Sequence, residues 1–471
     1  MTLTRGGTVS SFLASEHRAV KADDFCELCA SAARFRFRCG LPALCPIRHE
    51  HCFFRPVELD SPRFLIMRSF SLPTLFNLGE LAPLQRRTLA LVYASSLAMI
   101  MGVNFIQPAL PAMTKPFGVS DSALSLIMTL YTAPAIVLSP MFGIVADLYG
   151  RRLLLAWGLV LYGLSGAAIA WAPTFFWVLA LRAMQGVAFS ALIPLTIVLI
   201  GDTLEGHNEV GGQGLKVFLD RVGYLVFPPL GGMLAVLAWY WPFVCYFLAA
   251  PLGLLVLLWM PETKAHAKIQ TTTYLKDVLR LTRHPRLMVA FSAGFLRFFL
   301  DYGFLTYFPL FLVRTHGIST ATAGFLYIFF SIGAMITASQ AGRLTAVYDT
   351  TRLLFLAFLI SGGALVAVPL LPGVWLVGLA LFFYGLANGV ISPMQKSLMT
   401  QNAPRELRAG IISVDRLLQQ VSKTTSTSIV GILLVATNLA TIFWILGILS
   451  IAAVGLMALL LRPAVATVPA S

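Results

Sequence analysis

From residue 88 onward the chain alternates between long apolar runs and short polar breaks. Each run is roughly 20 residues or more, the length a helix needs to cross ~30 Å of hydrocarbon. Backbone groups in lipid must be paired within their own segment, so the runs predict helices. Twelve are expected, over 88–112, 122–146, 153–172, 175–201, 214–237, 239–260, 288–313, 320–344, 353–371, 375–399, 410–435 and 438–461. Most breaks are very short. The long one, Pro261 to Leu287, falls after the sixth run and divides the chain into 86–260, a linker 261–287, and 288–462. Within the linker, residues 274–282 read as a short amphipathic helix on a membrane surface. The expected fold is all-α and integral to a membrane, with twelve transmembrane helices in two pseudo-symmetric six-helix bundles.

Composition supports this class. Hydrophobic residues make up 58% and charged ones 11%, against about a quarter charged in soluble domains. A soluble fold of this length cannot hide so much apolar surface. The net charge of +14 does not point to nucleic acid, because its Lys and Arg are scattered through short loops without a continuous basic face. Their distribution does set orientation. With the N-terminus inside, the inner loops hold Arg86, Arg87, Arg151, Arg152, Lys264, Lys268, Lys276, Arg280, Arg283, Arg286, Arg343, Arg352, Arg405, Arg408 and Arg462, while the outer loops hold only Lys115 and Arg314. Basic residues stay on the cytoplasmic side, so both termini are expected there, in a plasma membrane of the bacterial inner-membrane kind.

Residues 1–85 differ from the rest. They are basic, lack a membrane-length run, and hold every cysteine except Cys245. Cys26, Cys29, Cys39, Cys45 and Cys52, with His49 and His51, invite a zinc site, but beyond the first pair the spacings are irregular. A disordered extension is the expectation, with no metal, cofactor or signal peptide, and Met67 is an alternative start. Residues 463–471 are expected as a cytoplasmic tail.

The two halves echo each other. A shift of 199 places Gly118 on Gly317 and Gly143 on Gly342, and Asp220-Arg221 has a counterpart in Asp415-Arg416 at a slightly different shift. Matched halves imply a transporter with its site at their interface near mid-membrane. The most charged tight turn is Gly143-Ile-Val-Ala-Asp147-Leu-Tyr-Gly150-Arg151-Arg152.

Across 86–462 these residues resemble the major facilitator superfamily. Gly143, Asp147, Gly150, Arg151 and Arg152 match its signature loop, although Leu148 stands where a basic residue is usual; Pro261-Glu262-Thr263 is a common ending of the sixth helix. The twelve-helix drug/proton antiporter branch is resembled by Arg182, Gln185 and Gly186, by Pro108-Ala-Leu-Pro111, and by Gly223, Pro228, Gly231 and Gly232. In the last pattern Phe227 replaces a usual Gly. The resemblance implies alternating access, assigns Arg182 to proton transfer, and puts Asp147 near the start of the eleventh helix, about 409–411. Asp202 is the expected acidic partner of Arg151, making a gate; the alternative is that both arginines only set topology. Glycines and prolines such as Gly223 to Gly232 suit bending and close packing, with or without motion.

Ionisable residues at membrane depth are costly and usually face the interior. Arg182, Asp220, Arg221, Arg297, Asp301, Asp415, Arg416 and Lys423 are so placed. Arg297 and Asp301 are four apart on one helix face, and Asp301 is the expected proton carrier, the alternative being a permanent structural pair. Asp220 and Asp415, nearer the cytoplasmic helix ends, are expected to snorkel or to pair with the neighbouring Arg221 and Arg416, with proton coupling as their other role. Lys423, in the polar run Ser422 to Ser428, reads as cavity wall that repels cations or binds an anionic group. Phe298, Tyr302, Tyr384 and Asn388 complete the candidate substrate cavity, in an aromatic cluster with Phe299, Phe304, Tyr307, Phe308, Phe382 and Phe383.

The expected function is proton-coupled export of hydrophobic or amphipathic small molecules by alternating access, by a monomer whose partners are substrate, protons and lipid. Proton-linked uptake of a nutrient or metabolite is the alternative, and a non-transporting sensor the more distant one. No phosphate-binding Gly-x-x-x-x-Gly-Lys-Ser/Thr run points to ATP drive, and no nucleophile–base or metal cluster in the helices points to an enzyme.

Overall fold

The computed structural model describes residues 81–262, 280–404 and 407–460. The N-terminal cysteines, Met67, residues 274–279 of the expected 274–282 helix and the 463–471 tail lie outside the described residues. The described chain is helical, with no strand. We number its long helices α1 (Pro83–Phe117), α2 (Ser125–Thr132 continuing as Pro134–Tyr149), α3 (Arg151–Trp171), α4 (Phe175–Thr203), α5 (Gly206–Leu237) and α6 (Trp241–Trp259). The second set is α7 (Pro285–His316), α8 (Thr320–Ser339), α9 (Thr350–Leu370), α10 (Val374–Asn402), α11 (Arg408–Ala436) and α12 (Leu439–Leu460).

Eleven of these are long and apolar enough to cross a membrane among the described residues. The remaining one is α11. At 29 residues and ~1.5 Å per residue it is long enough, but Asp415, Arg416, Gln419, Gln420, Lys423 and a Ser/Thr run lower its hydropathy. Its apolar face, with Ile429, Ile432 and Val435, is exposed, and its polar face packs along α7 and α2. Its hydroxyls find carbonyls there: Ser422 and Ser426 donate to the α7 carbonyls of Phe295 and Phe299.

Local sequence explains the other departures from the apolar pattern. Pro108 tightens α1 into a 3-10 turn at Gln107–Ala109 before the helix resumes, since a proline cannot donate the helical bond. The eighth run, expected to 344, stops at Ser339, and Ala341–Val347 forms a separate short helix. Helix α5 starts at Gly206 rather than 214. Gly118 and Gly317, related by the shift of 199, both end helices with positive φ, 59° and 65°, a left-handed cap that favours glycine.

Helices α1–α6 pack among themselves, as do α7–α12; across the two sets α5 meets α8, α2 meets α11, and α1 meets α7. A Cβ on Gly232 would lie 2.3 Å from the Thr320 carbonyl oxygen, and one on Gly324 2.5 Å from that of Pro228. Thr129 and Thr427 hydroxyls are 2.9 Å apart, and Thr424 donates to Thr132 at 2.9 Å. Gln107 Nε2 donates to Thr306 Oγ1 at 3.4 Å; these residues are equivalent under the shift of 199, so the pseudo-twofold axis passes between them. At the Gly118 end Arg314 forks onto Asp121, at 2.7 and 3.2 Å. These hydrogen bonds across the sets run from mid-molecule to this end, whereas toward Gly150 the pairs Arg151–Asp202, Arg152–Glu262 and Gln395–Asp415 each join residues of one set.

Candidate functional site

Asp301 on α7 is 8% exposed. Its Oδ1 accepts from Tyr384 Oη at 2.7 Å and from Asn388 Nδ2 at 2.6 Å, both on α10. Arg297, one turn earlier on α7, brings Nε to 3.8 Å from Oδ2. The same Nε donates to Asn388 Oδ1 at 3.0 Å, so Asn388 ties guanidinium and carboxylate together. The i,i+4 spacing on α7 and again between Tyr384 and Asn388 stacks both pairs on facing helix sides. The result is a carboxylate held by two neutral donors and an offset cation.

Next to it, Arg297 lies over the Phe298 ring, 4.8 Å from its centroid. Lys423 of α11 approaches the same ring at 4.9 Å and Tyr302 at 5.4 Å. Its ammonium donates to Gln420 at 2.7 Å. Aromatic faces attract cations, though more weakly than a carboxylate does.

Two expected pairings are corrected. Asp220 pairs with Lys216, not Arg221, at 2.8 Å, and accepts from Ser96 at 2.7 Å. Asp415, 5% exposed, accepts from Gln395 at 2.7 Å and Gln419 at 2.6 Å, not from Arg416. The reason is geometric: neighbours in sequence project about 100° apart on a helix, whereas positions four apart share a face. Tyr384 and Asn388, expected in the substrate cavity, are both 2% exposed and both hydrogen-bond Asp301; Tyr384 is enclosed by Phe304 and Phe330, with centroids at 5.2 and 5.8 Å. Phe304, Tyr307 and Phe308 are core residues, and Phe383 is exposed on an apolar groove between α9 and α10. Phe298 and Tyr302 remain half-buried beside Lys423.

Arg182 on α4 is fully buried. It donates to Gln185 at 2.7 Å and to the Gly102 carbonyl at 3.4 Å. Rings of Tyr131, Phe243 and Tyr246 surround it at 5.5, 5.1 and 5.5 Å, and its Nε and Nη2 have no hydrogen-bond partner among the described residues. Gly186 lets α4 approach α2: a Cβ there would stand 2.5 Å from the Tyr131 carbonyl oxygen. Gly231 does the same for α5 against α1, at 2.2 Å from the Phe105 carbonyl oxygen. Gly223 faces Phe227, Ile100 and Leu97 at ordinary or slightly tight range, and Pro228 sits inside α5.

At the opposite end, Gly150 has φ 101° and faces Glu262, whose carboxylate oxygen would be 2.6 Å from a Cβ. Glu262 accepts from the Arg152 amide at 3.3 Å and pairs with its side chain at 3.7 Å, placing a negative charge at the positive start of α3. Arg152 also donates to the Met260 carbonyl at 3.1 Å. Arg151 forms an ion pair with Asp202 at the end of α4. Gly143 has open space around it. The Asp147 side chain, and hence its expected place near 409–411, lies outside the described residues. Glu262 is the functional-end residue that the charged turn alone did not reveal; the Pro-Glu-Thr sequence after α6 was its signal.

Comparison with known proteins agrees with this arrangement. A sequence model described as the Major Facilitator Superfamily matches residues 92–427. The chain is 27% identical over 340 residues to the bacillibactin exporter of Bacillus subtilis (strain 168), covering 67% of this chain and 82% of that protein. It is 26% identical over 182 residues to the quinolone resistance protein NorA of Staphylococcus aureus (strain MRSA252), covering 39% of this chain and 46% of NorA. A bacterial homologue of the human lysosomal transporter Spinster, solved inward-facing and occupied, superposes with a TM-score of 0.67 at 15% identity, over 80% of this chain and 96% of that one. A D-xylose–proton symporter gives 0.64 at 17% identity, over 79% and 97%. The match extends over most of the chain and the fold is the same: this protein belongs to the major facilitator superfamily, a family of multi-pass membrane transporters.

Proposed function

We propose that this protein exports hydrophobic or amphipathic small molecules by alternating access, coupled to proton entry. The observation that carries this reading is Asp301, a carboxylate buried at membrane depth and held by Tyr384, Asn388 and Arg297. A proton there changes the charge of the cluster by one, and each charge moved across the membrane is worth about 2.3 kcal/mol per 100 mV. The names of the relatives, a bacillibactin exporter and a quinolone resistance protein, favour export.

In this reading the Gly150 end is cytoplasmic, as are both termini, and the protein acts as a monomer in a plasma membrane. The substrate path between the two sets then opens inward. The turn from Gly143 to Arg152, with Asp202 and Glu262, works as the inner gate, and Gly223, Pro228, Gly231 and Gly232 allow α5 to pivot. Arg182, Asp220 and Asp415 are the further proton-coupling candidates. Proton-linked uptake is the second reading, favoured by Phe227, which fills the place of a glycine and packs edge-on against Phe105 at 5.3 Å.

Inside-out vesicles carrying a fluorescent pH reporter test the proposal. With a proton gradient imposed, substrate should release protons from the wild type and not from Asp301→Asn. A proton response restricted to nutrients such as sugars would replace export by uptake.

A further inference from the structure

Helix α11 carries a buried carboxyl group with no cation beside it. Asp415 is 5% exposed, and each of its oxygens accepts from a carboxamide: Oδ1 from Gln395 of α10 at 2.7 Å, and Oδ2 from Gln419, one turn on, at 2.6 Å. Gln395 is itself 1% exposed. Helix α7 closes over the cluster at Gly294, where a Cβ would stand 2.1 Å from Gln395 Nε2 and 2.9 Å from Asp415 Oδ1. Asp121, Asp202, Asp220, Glu262 and Asp301 each have an Arg or Lys within ion-pair distance, and Asp415 has none among the described residues. The cations that face it at longer range are Lys396 of α10, Arg297 of α7 and Arg416 of its own helix. Lys396 is exposed, Arg297 serves Asn388 and Asp301, and Arg416 projects about 100° away around the helix.

The other half fills the same place with a full ion pair. The shift of 199 that carries the Gly186–Tyr131 approach onto Gly385–Phe330 also carries Lys216 onto Asp415 and Asp220 onto Gln419. On α5 these two positions hold opposite charges 2.8 Å apart. On α11 they hold an acid and an amide, which are neutral together only when the acid is protonated. A buried carboxyl without a counter-ion takes up a proton rather than stay charged. We infer that Asp415 is a second proton-binding site, a neutral carboxylic acid in this conformation that carries its own proton through the transport cycle beside Asp301. The amides make both states tenable. A carboxamide donates or accepts according to which end faces the group, so a half-turn of Gln395 or Gln419 offers Oε1 to the acid O–H, and the opposite setting offers N–H to the ion. Asp220 has no such choice, because protonating it would strand the buried Lys216 ammonium. Release follows when α10 draws Gln395 away and water reaches the carboxyl. The O–H bond breaks, the proton passes to water, and the carboxylate stays on α11 with the Gln419 amide donating to it.

The carrier role of Asp415 rests on the proton-coupled reading above, and two measurements that need no substrate keep the two apart. Full-length protein returned to lipid is first read by infrared spectroscopy, in which a protonated carboxyl gives a band that the ionised group lacks. In Asp301→Asn protein at neutral pH that band should be present, and adding Asp415→Asn should remove it. Gln419→Lys should remove it as well, since a lysine four residues on restores the ion pair of the other half; it supplies the same test should the Asp415 variant not fold. No band in Asp301→Asn protein, or a band that both further substitutions leave in place, overturns the inference. The second measurement counts protons. With spin labels on α2 and α11, the ratio of states closed and open at the Gly118 end is followed against pH, and its slope reports how many protons separate the states. The ratio should change about a hundredfold per pH unit in the wild type and about tenfold in either Asp301→Asn or Asp415→Asn. A slope lowered by Asp301→Asn but not by Asp415→Asn overturns the second site and leaves the Asp301 reading standing. A slope lowered by Asp415→Asn but not by Asp301→Asn refutes the Asp301 reading and leaves the second site standing.

Discussion

Asn388 is the residue on which the Asp301 cluster turns, because its one amide both accepts from Arg297 and donates to Asp301. Asn388→Ala removes both links, whereas Tyr384→Phe removes one hydrogen bond and keeps the ring packing. With each such bond worth about 1 kcal/mol or somewhat more, Tyr384→Phe should slow proton-driven transport about fivefold and Asn388→Ala by clearly more, as measured by initial rates in vesicles. Equal losses would mean that Asn388 acts at one partner only. The Arg297–Asp301 pair was legible in the sequence because residues four apart share a helix face. Its α10 partners were not, since Tyr384 and Asn388 lie 83 and 87 residues away and the aromatic cluster around them looks alike whether it faces cavity or core. Lys216, four before Asp220, was within reach of the same spacing rule, and the adjacent Arg221 masked it.

Helix α5 makes two backbone approaches through neighbouring glycines, and they point to different consequences. Gly231 meets α1 of its own set, and Gly232 meets α8 of the other. Neither contact is with a movable side-chain end, so a methyl group must separate the helices, at a typical cost of about 1–3 kcal/mol. Gly231→Ala should therefore lower the thermal unfolding temperature of the purified protein. Gly232→Ala should shift the population toward a state open at the Gly118 end, read as a longer distance between spin labels on α5 and α8. If the two variants behaved alike, the interface would be ordinary packing. The sequence marked these glycines as a motif, but the partner of each depends on rotation about the α5 axis, which spacing alone does not set. Apolar length was legible for the spans, less so their ends: prolines and caps moved them, as at Gln107–Ala109 and Ser339.

Across the whole molecule, the sets are held together from the middle to the Gly118 end, where Asp121 and Arg314 close the gap. Arg314 and Lys115, equivalent under the shift of 199, were both expected as outer-loop charges; only the assembled structure shows one of them latching onto the other set. The Arg314 side chain is 50% exposed, so the pair contributes at most about 1 kcal/mol and weakens with salt. Arg314→Gln should raise the population open at this end by no more than about fivefold, and high salt should do the same to the wild type but not to the variant, as followed by alkylation of a cysteine placed beside Gln107. A salt response equal in both would assign closure to the α5–α8 and α2–α11 contacts alone. The pairing of two matched halves was legible from the repeat, because it needs only recurring turns. Which end carries the hydrogen bonds across the sets was not, since that depends on how the two sets pack.

The polarity of α11 has a consequence for biosynthesis. Asp415, Arg416 and Lys423 each disfavour release from the translocon into lipid by up to about 2.5–3.5 kcal/mol near a helix centre, and the Ser/Thr run adds to this. The helices that receive those hydroxyls, α7 through Phe295 and Phe299 and α2 through Thr129 and Thr132, are synthesised earlier. Helix α11 is therefore expected to enter the membrane as a client of its predecessors rather than on its own hydrophobicity. A reporter glycosylation site placed after Ala436 would be handled differently once α7 is replaced by a plain poly-leucine span, because the incoming helix would find no carbonyls waiting for it.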